Sequence, residues 1–255
     1  ENKFGVPFAE ARALYDLAAE LPALDIVGIH MHIGSQITDL APMRAAFTLM
    51  RQLAKELLAA GYQLRHLDLG GGLGIPYDAK DPLPPHPRDY AAIIVECLGD
   101  LGLELVLEPG RIIAANSGVL LTRVIHVKEG ADRTFLIVDA AMNDLLRPTL
   151  YEAHHDIWPV REDLKSMPPV VQDIVGPVCE TGDYIALERS LPPFSEGDLV
   201  AVMAAGAYGA VMSSTYNSRP LVPEVLVKGE DFAVVRPRQS YDELIGLDRL
   251  PDWPA

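Results

Sequence analysis

Apolar positions recur at helical spacing from Pro7 to Leu21, where Phe8, Ala11, Leu14, Tyr15, Ala18 and Leu21 predict one helix that Pro22 ends. The run Asp25-Ile26-Val27-Gly28-Ile29-His30-Met31-His32 is apolar on both faces until its polar end, the pattern of a strand buried in a parallel sheet. A second amphipathic helix is predicted over Ala41 to Ala60, with Gly61 just past its end. His66 to Leu69 forms another short apolar strand, running into Gly70-Gly71-Gly72-Leu73-Gly74. A proline-rich loop follows, and then a third helix over Arg88 to Leu101 and a third strand over Leu103 to Leu107, ending at Glu108-Pro109-Gly110-Arg111. Strands alternating with helices imply right-handed βαβ units and a parallel sheet or barrel. Polar and glycine residues collect at the carboxyl ends of all three strands, where such folds build their sites.

Beyond Ile112 the pattern changes. β-branched runs bounded by turn residues cover Val119 to Val127, Arg133 to Val138, Gln172 to Val175, Leu199 to Met203 and Glu224 to Val227, with a short helix over Tyr241 to Ile245. The expected division is therefore an α/β part over residues 1–113 and a mostly β part over residues 114–255.

Composition narrows the function classes. The 255 residues carry a formal net charge of −15, which repels polyphosphate and argues against a nucleic-acid partner. Any anionic ligand must then be held by locally focused arginines and backbone N–H groups. The two cysteines, Cys97 and Cys179, form neither a disulfide framework nor a zinc pattern, so a reducing, cytoplasmic setting is expected. No apolar run approaches the roughly 20 residues that span a bilayer, and Glu1-Asn2-Lys3-Phe4-Gly5 does not read as a secretory signal, so no membrane partner is expected.

Three strand ends carry candidate chemistry. In His30-Met31-His32-Ile33-Gly34-Ser35-Gln36, period-2 spacing puts two rings on one side of a strand, able to stack on a flat cofactor while Ser35 binds an anion. The same pair serves equally as hydrogen-bonded strand caps. A zinc pair is disfavoured because no third ligand is near in sequence, and no metal is expected. Gly70-Gly71-Gly72 frees backbone N–H groups to approach a phosphate, or makes a tight turn. Glu108, read as a buried carboxylate at a strand end, suits a pyridine nitrogen, and Arg111 a phosphate or carboxylate. A salt bridge across the turn is the alternative.

The order of motifs is more specific than any one of them. H-x-G-S-Q, G-G-G and E-P-G-R are followed by Asp139 to Tyr151, by Gly176-Pro177-Val178-Cys179-Glu180-Thr181-Gly182-Asp183 and by Gly206-Ala207-Tyr208-Gly209. Over about Phe4 to Trp253 this resembles the alanine-racemase-like, fold-type III pyridoxal-phosphate (PLP) decarboxylases, and among them the diaminopimelate decarboxylases. The resemblance implies the carboxyl-terminal part of a PLP-binding (β/α)8 TIM barrel followed by an all-β domain like the carboxyl-terminal β-barrel of alanine racemase. It implies PLP as cofactor, with His32 against its ring, Ser35, Gly72 and Gly110-Arg111 at its phosphate, Glu108 at its nitrogen beside Pro109, and Tyr208 also in contact. Arg111, Arg147, Tyr151 and Tyr208 would hold the substrate, with Glu180 at its distal amino-acid end and Cys179 as proton donor in a head-to-tail homodimer whose active sites lie at the subunit interface.

Some of this follows from the residues themselves. Diaminopimelate carries a second amino-acid centre, so its recognition needs a cation and an anion together, which Arg147 and Glu180 supply. A cysteine beside an acidic residue stays a neutral thiol, fit to give a proton. For Cys179 the other reading is a small buried hydrophobe, which is the reading adopted for Cys97.

One element of the pattern is missing. Family members hold the cofactor covalently through a lysine in a context like Tyr-Ala-x-Lys-Ala, and none of Lys3, Lys55, Lys80, Lys128, Lys165 and Lys228 has it. Three readable barrel strands, where eight are needed, imply that the chain starts inside the barrel. A split enzyme would lack the lysine in the same way, and so would a non-catalytic, regulatory homologue. The expected activity of the complete protein is conversion of meso-2,6-diaminopimelate to L-lysine and CO2, with decarboxylation of ornithine, arginine or carboxynorspermidine as the alternative. The chain alone is expected to be inactive, and, with open sheet edges, prone to aggregate or associate.

Overall fold

A computed structural model of the chain describes residues 3–131 and 133–253. Glu1 and Asn2, part of the amino-terminal segment considered above, lie outside the described residues. The chain forms two compact units, Glu1–Pro76 with Lys80–Ala114, and Tyr77–Ala79 with Ala115–Ala255.

In the first unit, α1 (Phe8–Ala19), β1 (Gly28–His30), α2 (Leu40–Ala59), β2 (His66–Asp68), α3 (Pro87–Leu98), β3 (Glu104–Val106) and the single turn α4 (Arg111–Ala114) follow in order. The strands make one parallel sheet, β1-β2-β3, with Ile29 opposite Leu67 and Leu67 opposite Leu105. Asp39 starts α2 by accepting a hydrogen bond from the Ala41 N–H at 2.9 Å, and Gly61, at φ +94°, turns the chain out of it. Between them Met43, Phe47, Met50, Leu53, Ala54 and Leu57 recur every three or four residues and are buried. Tyr90, Ile93, Ile94 and Leu98 of α3 complete the same core, with the Phe47 and Tyr90 rings 5.9 Å apart.

Several expectations need correction here. The helix expected over Pro7 to Leu21 buries only Ala11, whereas Leu14 and Leu21 are exposed. Each strand pairs over three residues only, and single backbone hydrogen bonds carry the contact into the polar ends, from the Met31 N–H to the Asp68 carbonyl at 3.0 Å and from the Glu108 N–H to the Gly70 carbonyl at 2.9 Å. The strands are also not buried on both faces. β3 is an edge strand with Glu104 exposed, since three strands leave two edges in this unit. The third helix ends at Leu98, where Gly99 follows, and Cys97 within it is half-buried.

The second unit is built on β4 (Leu120–Glu129), β5 (Thr134–Val138), β6 (Ile157–Pro159), β7 (Val170–Val175), β8 (Tyr184–Leu191) and β9 (Leu199–Val202), with the short helix α5 (Arg147–Tyr151) after β5. The sheet order is β6-β9-β4-β5-β7-β8, antiparallel except for β5 and β7. Val124, Leu136, Val138, Ile174, Ile185, Val200 and Val202 form its core, alternating with outward residues as the period-2 pattern requires. A separate hairpin pairs β10 (Glu224–Lys228) with β11 (Asp231–Arg236), turned at Gly229 with φ +61°, and α6 (Tyr241–Ile245) carries a capping box between Ser240 and Glu243.

The sequence pattern passed over β6, β8, β11 and α5. β8 hides its alternation because Asp173 pulls a bulge into it, accepting from the Glu188 N–H at 2.6 Å while Glu188 adopts φ +52°. β6 is too short for periodicity and ends in Pro159.

Candidate active site

The first unit gathers one set of candidate residues at the carboxyl ends of its three strands. Asp68, closing β2, accepts a hydrogen bond from the Gly70 N–H at 2.9 Å and so shapes the glycine turn. A Cβ on Gly70 would lie 2.4 Å from the Met31 carbonyl, one on Gly71 2.3 Å from the Glu108 carbonyl, and one on Gly72 2.4 Å from the Gly34 carbonyl. Glycine is needed here because backbone from the flanking strand ends fills the space. Gly70 and Gly72 also have positive φ, +62° and +109°.

Around this turn the side chains are organised but open. His32 accepts from the Gly71 N–H through Nδ1 at 3.4 Å, and the Arg111 guanidinium donates to Ser35 Oγ at 3.0 Å. Glu108 Oε2 lies 3.6 Å from His30 Nε2. Glu108 was expected to be buried, yet its side chain is 53% exposed, because edge strand β3 presents its end to solvent within this unit. His30 and His32, expected on one side, have different partners, since the strand stops at His30. Structure, unlike sequence, brings Asp68 and Glu108 to His30 with ligand atoms within 4.8 Å of one another. Pro109 and Gly110 are exposed in the turn before α4.

A second set lies in the second unit. Arg147 opens α5 and is 6% exposed. Its Nη1 donates to His155 Nε2 at 3.0 Å, and its guanidinium lies 4.6 Å from the centre of the Tyr77 ring. Burial, together with the Arg147 cation, pushes the His155 imidazole down from 6.5 to about 4. In the Gly176 to Asp183 loop, buried Asp183 accepts from the N–H groups of Met142 and Val178, each at 2.7 Å. Cys179 and Glu180 project from that loop and are exposed, with Glu180 Oε1 accepting from the Gly182 N–H at 3.2 Å. Tyr151 is exposed, and Tyr208 is exposed with its backbone at φ +58°, an uncommon conformation for a non-glycine residue.

Asp78, His154 and Asp156 form a further cluster in this unit, and Arg189 donates to His154 Nε2 at 2.8 Å. Lys128 and Lys228 sit on β4 and β10. Sequence reasoning did not single out Asp68, Tyr77, His155 or Asp183. The His154-His155 pair, soon after Tyr151, and the place of Asp183 at the end of the Gly176–Asp183 motif offered signals.

Residues 14–206 match the model of the family described as "Pyridoxal-dependent decarboxylase, C-terminal sheet domain". The chain belongs to this family. It is 51% identical over 250 residues to diaminopimelate decarboxylase of Pseudomonas aeruginosa, covering 98% of this chain and 59% of that protein, and 45% identical over 245 residues to that of Aquifex aeolicus, covering 96% and 58%. The crystal structure of diaminopimelate decarboxylase from Helicobacter pylori complexed with L-lysine superposes with a TM-score of 0.89 at 40% identity, covering 97% of this chain and 60% of that one. The chain thus spans about three-fifths of the length of these relatives. Its fold is the family's sheet domain together with an α/β part, as the motif order implied. Among the described residues, no helix is long and apolar enough to cross a membrane.

Proposed function

We propose that the complete protein containing this chain decarboxylates meso-2,6-diaminopimelate to L-lysine and CO2 with PLP, in the cytoplasm, as a head-to-tail homodimer. The family is pyridoxal-dependent, and the donor set of the first unit suits a flat, phosphorylated pyridine. A glycine turn packed against carbonyls, a hydroxyl joined to a guanidinium, and a carboxylate at the adjacent strand end provide for a phosphate and a pyridine nitrogen. In this reading Ser35, Gly72 and the Gly110-Arg111 turn hold the phosphate, with Pro109 fixing the turn. His32 would hold the ring and Glu108 would pair with its nitrogen, with Tyr208 of the second unit a further candidate contact. When bound, the cofactor accepts the electron pair left at carbon as CO2 departs.

The observation that carries the substrate reading is the buried cation Arg147. A guanidinium held away from water at a fixed position suits a carboxylate that stays on the substrate through the reaction. Diaminopimelate has such a carboxylate, and ornithine has none beyond the one it loses. Tyr151 is assigned to that carboxylate with Arg147, Tyr208 is a further substrate contact, and Glu180 takes the distal ammonium. The Cys179 thiol, exposed on the Asp183-braced loop, holds the proton returned to carbon in the neighbouring subunit's site.

Arg147→Ala in the complete, PLP-loaded protein is expected to raise KM for diaminopimelate by about a hundredfold, the usual scale for a lost charge partner. CO2 release under initial-rate conditions measures it. An unchanged KM, or faster turnover of ornithine than of diaminopimelate by the unaltered protein, would overturn the substrate reading. The 255-residue chain with PLP should release no CO2, since none of its lysines stands in the family's context.

A further inference from the structure

We infer that His155, with Tyr77, is a positioning residue that fixes the Arg147 guanidinium for a substrate carboxylate, an inference that rests on the role proposed for Arg147. The hydrogen bonds define the tautomer. His155 Nδ1 is 2.8 Å from the Met203 carbonyl oxygen, which can only accept, so Nδ1 carries the proton. Nε2 is 3.0 Å from Arg147 Nη1, and a guanidinium can only donate, so Nε2 presents its lone pair. Both bonds are satisfied by the neutral ring alone. Complete burial of His155, with the cations of Arg147 and Arg189 close by, keeps it neutral well below its ordinary range.

A neutral acceptor has a particular consequence for the arginine. It takes one N–H and sets the plane of the guanidinium without neutralising its charge, whereas a carboxylate at that position would do both. Tyr77 supplies the second constraint. Its ring face lies 4.6 Å from the guanidinium, and the same ring packs against the His155 ring at 5.3 Å and 75°, so one aromatic side chain contacts both groups. The backbone makes the arrangement local. Glu152, at φ +52°, reverses the chain after α5, and the Ala153 N–H donates to the Arg147 carbonyl at 3.3 Å, returning His155 alongside the arginine eight residues earlier.

The test uses the complete, PLP-loaded protein. His155→Phe should raise KM for diaminopimelate about tenfold and change kcat by less than about threefold, because misplaced binding geometry weakens binding that ground and transition states share. The inhibition constant of L-lysine, which keeps that carboxylate, should rise in step, whereas that of 1,5-diaminopentane, which has none, should not. His155→Gln can donate to Met203 and accept from Arg147, and should restore KM to within about threefold of the unaltered protein. In an Arg147→Ala background His155→Phe should add less than about twofold, the mark of two residues acting as one unit. If His155→Phe does not fold, Tyr77→Leu takes its place, with the same coupling to Arg147 expected. Equal effects with and without Arg147, or no KM effect from either variant, would overturn the inference while leaving the substrate reading intact. An unchanged KM in Arg147→Ala alone would overturn both.

Discussion

The two units set functional groups in place by opposite means. In the first, the geometry of the strand ends comes from backbone: three glycines pressed against carbonyls and Asp68 gripping the turn, while His32, Glu108 and Ser35 remain open to solvent. In the second, buried side chains do the positioning, with Arg147, His155 and Asp183 each less than a tenth exposed and each hydrogen-bonded. A site for a large flat ligand can leave its side chains open until the ligand covers them. A site for one small carboxylate needs its cation aimed beforehand, because an arginine that reorients in water loses much of the gain in entropy and solvation.

The contrast predicts different vulnerabilities. The largest effect should come from the apolar layer that supports the first unit. Phe47→Ala, which empties a fully buried site against Tyr90, is expected to destabilise that unit by about 4 kcal/mol, and urea unfolding read by far-ultraviolet circular dichroism would show it. A loss below about 1 kcal/mol would mean that the helices α2 and α3 do not hold the sheet as described.

Acid should single out the second unit. An unfolded His155 takes up a proton near pH 6.5, whereas the folded one, buried beside Arg147, Arg189 and His154, resists until about pH 4. The stability gained by keeping it neutral is complete above about pH 6.5 and is lost as the pH falls toward 4, because the unfolded chain then binds a proton that the folded chain does not. The total is about 3 kcal/mol. His155→Gln should flatten this acid limb in unfolding curves taken from about pH 7 down to about pH 4.5, and an unaltered limb would assign the acid sensitivity to other groups.

The smallest effect belongs to a cap. Asp39→Ala removes the acceptor of the Ala41 N–H at the start of α2 and should cost about 1 kcal/mol in the same unfolding measurement at pH 7. A loss below about 0.3 kcal/mol would mean that this side chain does not cap α2 in solution.

Legibility in the sequence followed the same division. α2 and α3 were readable because their apolar faces repeat every three or four residues between a cap and a glycine or proline signal. The first unit's candidate residues stood out in the sequence because they cluster at strand ends, one motif per strand. In the second unit β8 was missed, since a bulge held by a residue on another strand breaks its period. The exposure of Glu108 was also missed, because burial at a strand end depends on which neighbours a strand has.

By itself the sequence determined the order of helices and strands in the first unit, the change from α/β to β pattern, and the family motifs, all of which depend on spacing along the chain. Only tertiary structure decided that Asp68 grips the glycine turn, that Asp183 braces the cysteine loop, and that Arg147 meets a neutral histidine and the ring of Tyr77, far upstream in the chain. Such partners are chosen by burial: a polar group taken out of water must find its complement in whatever the fold brings alongside, and no local pattern records which residue that will be.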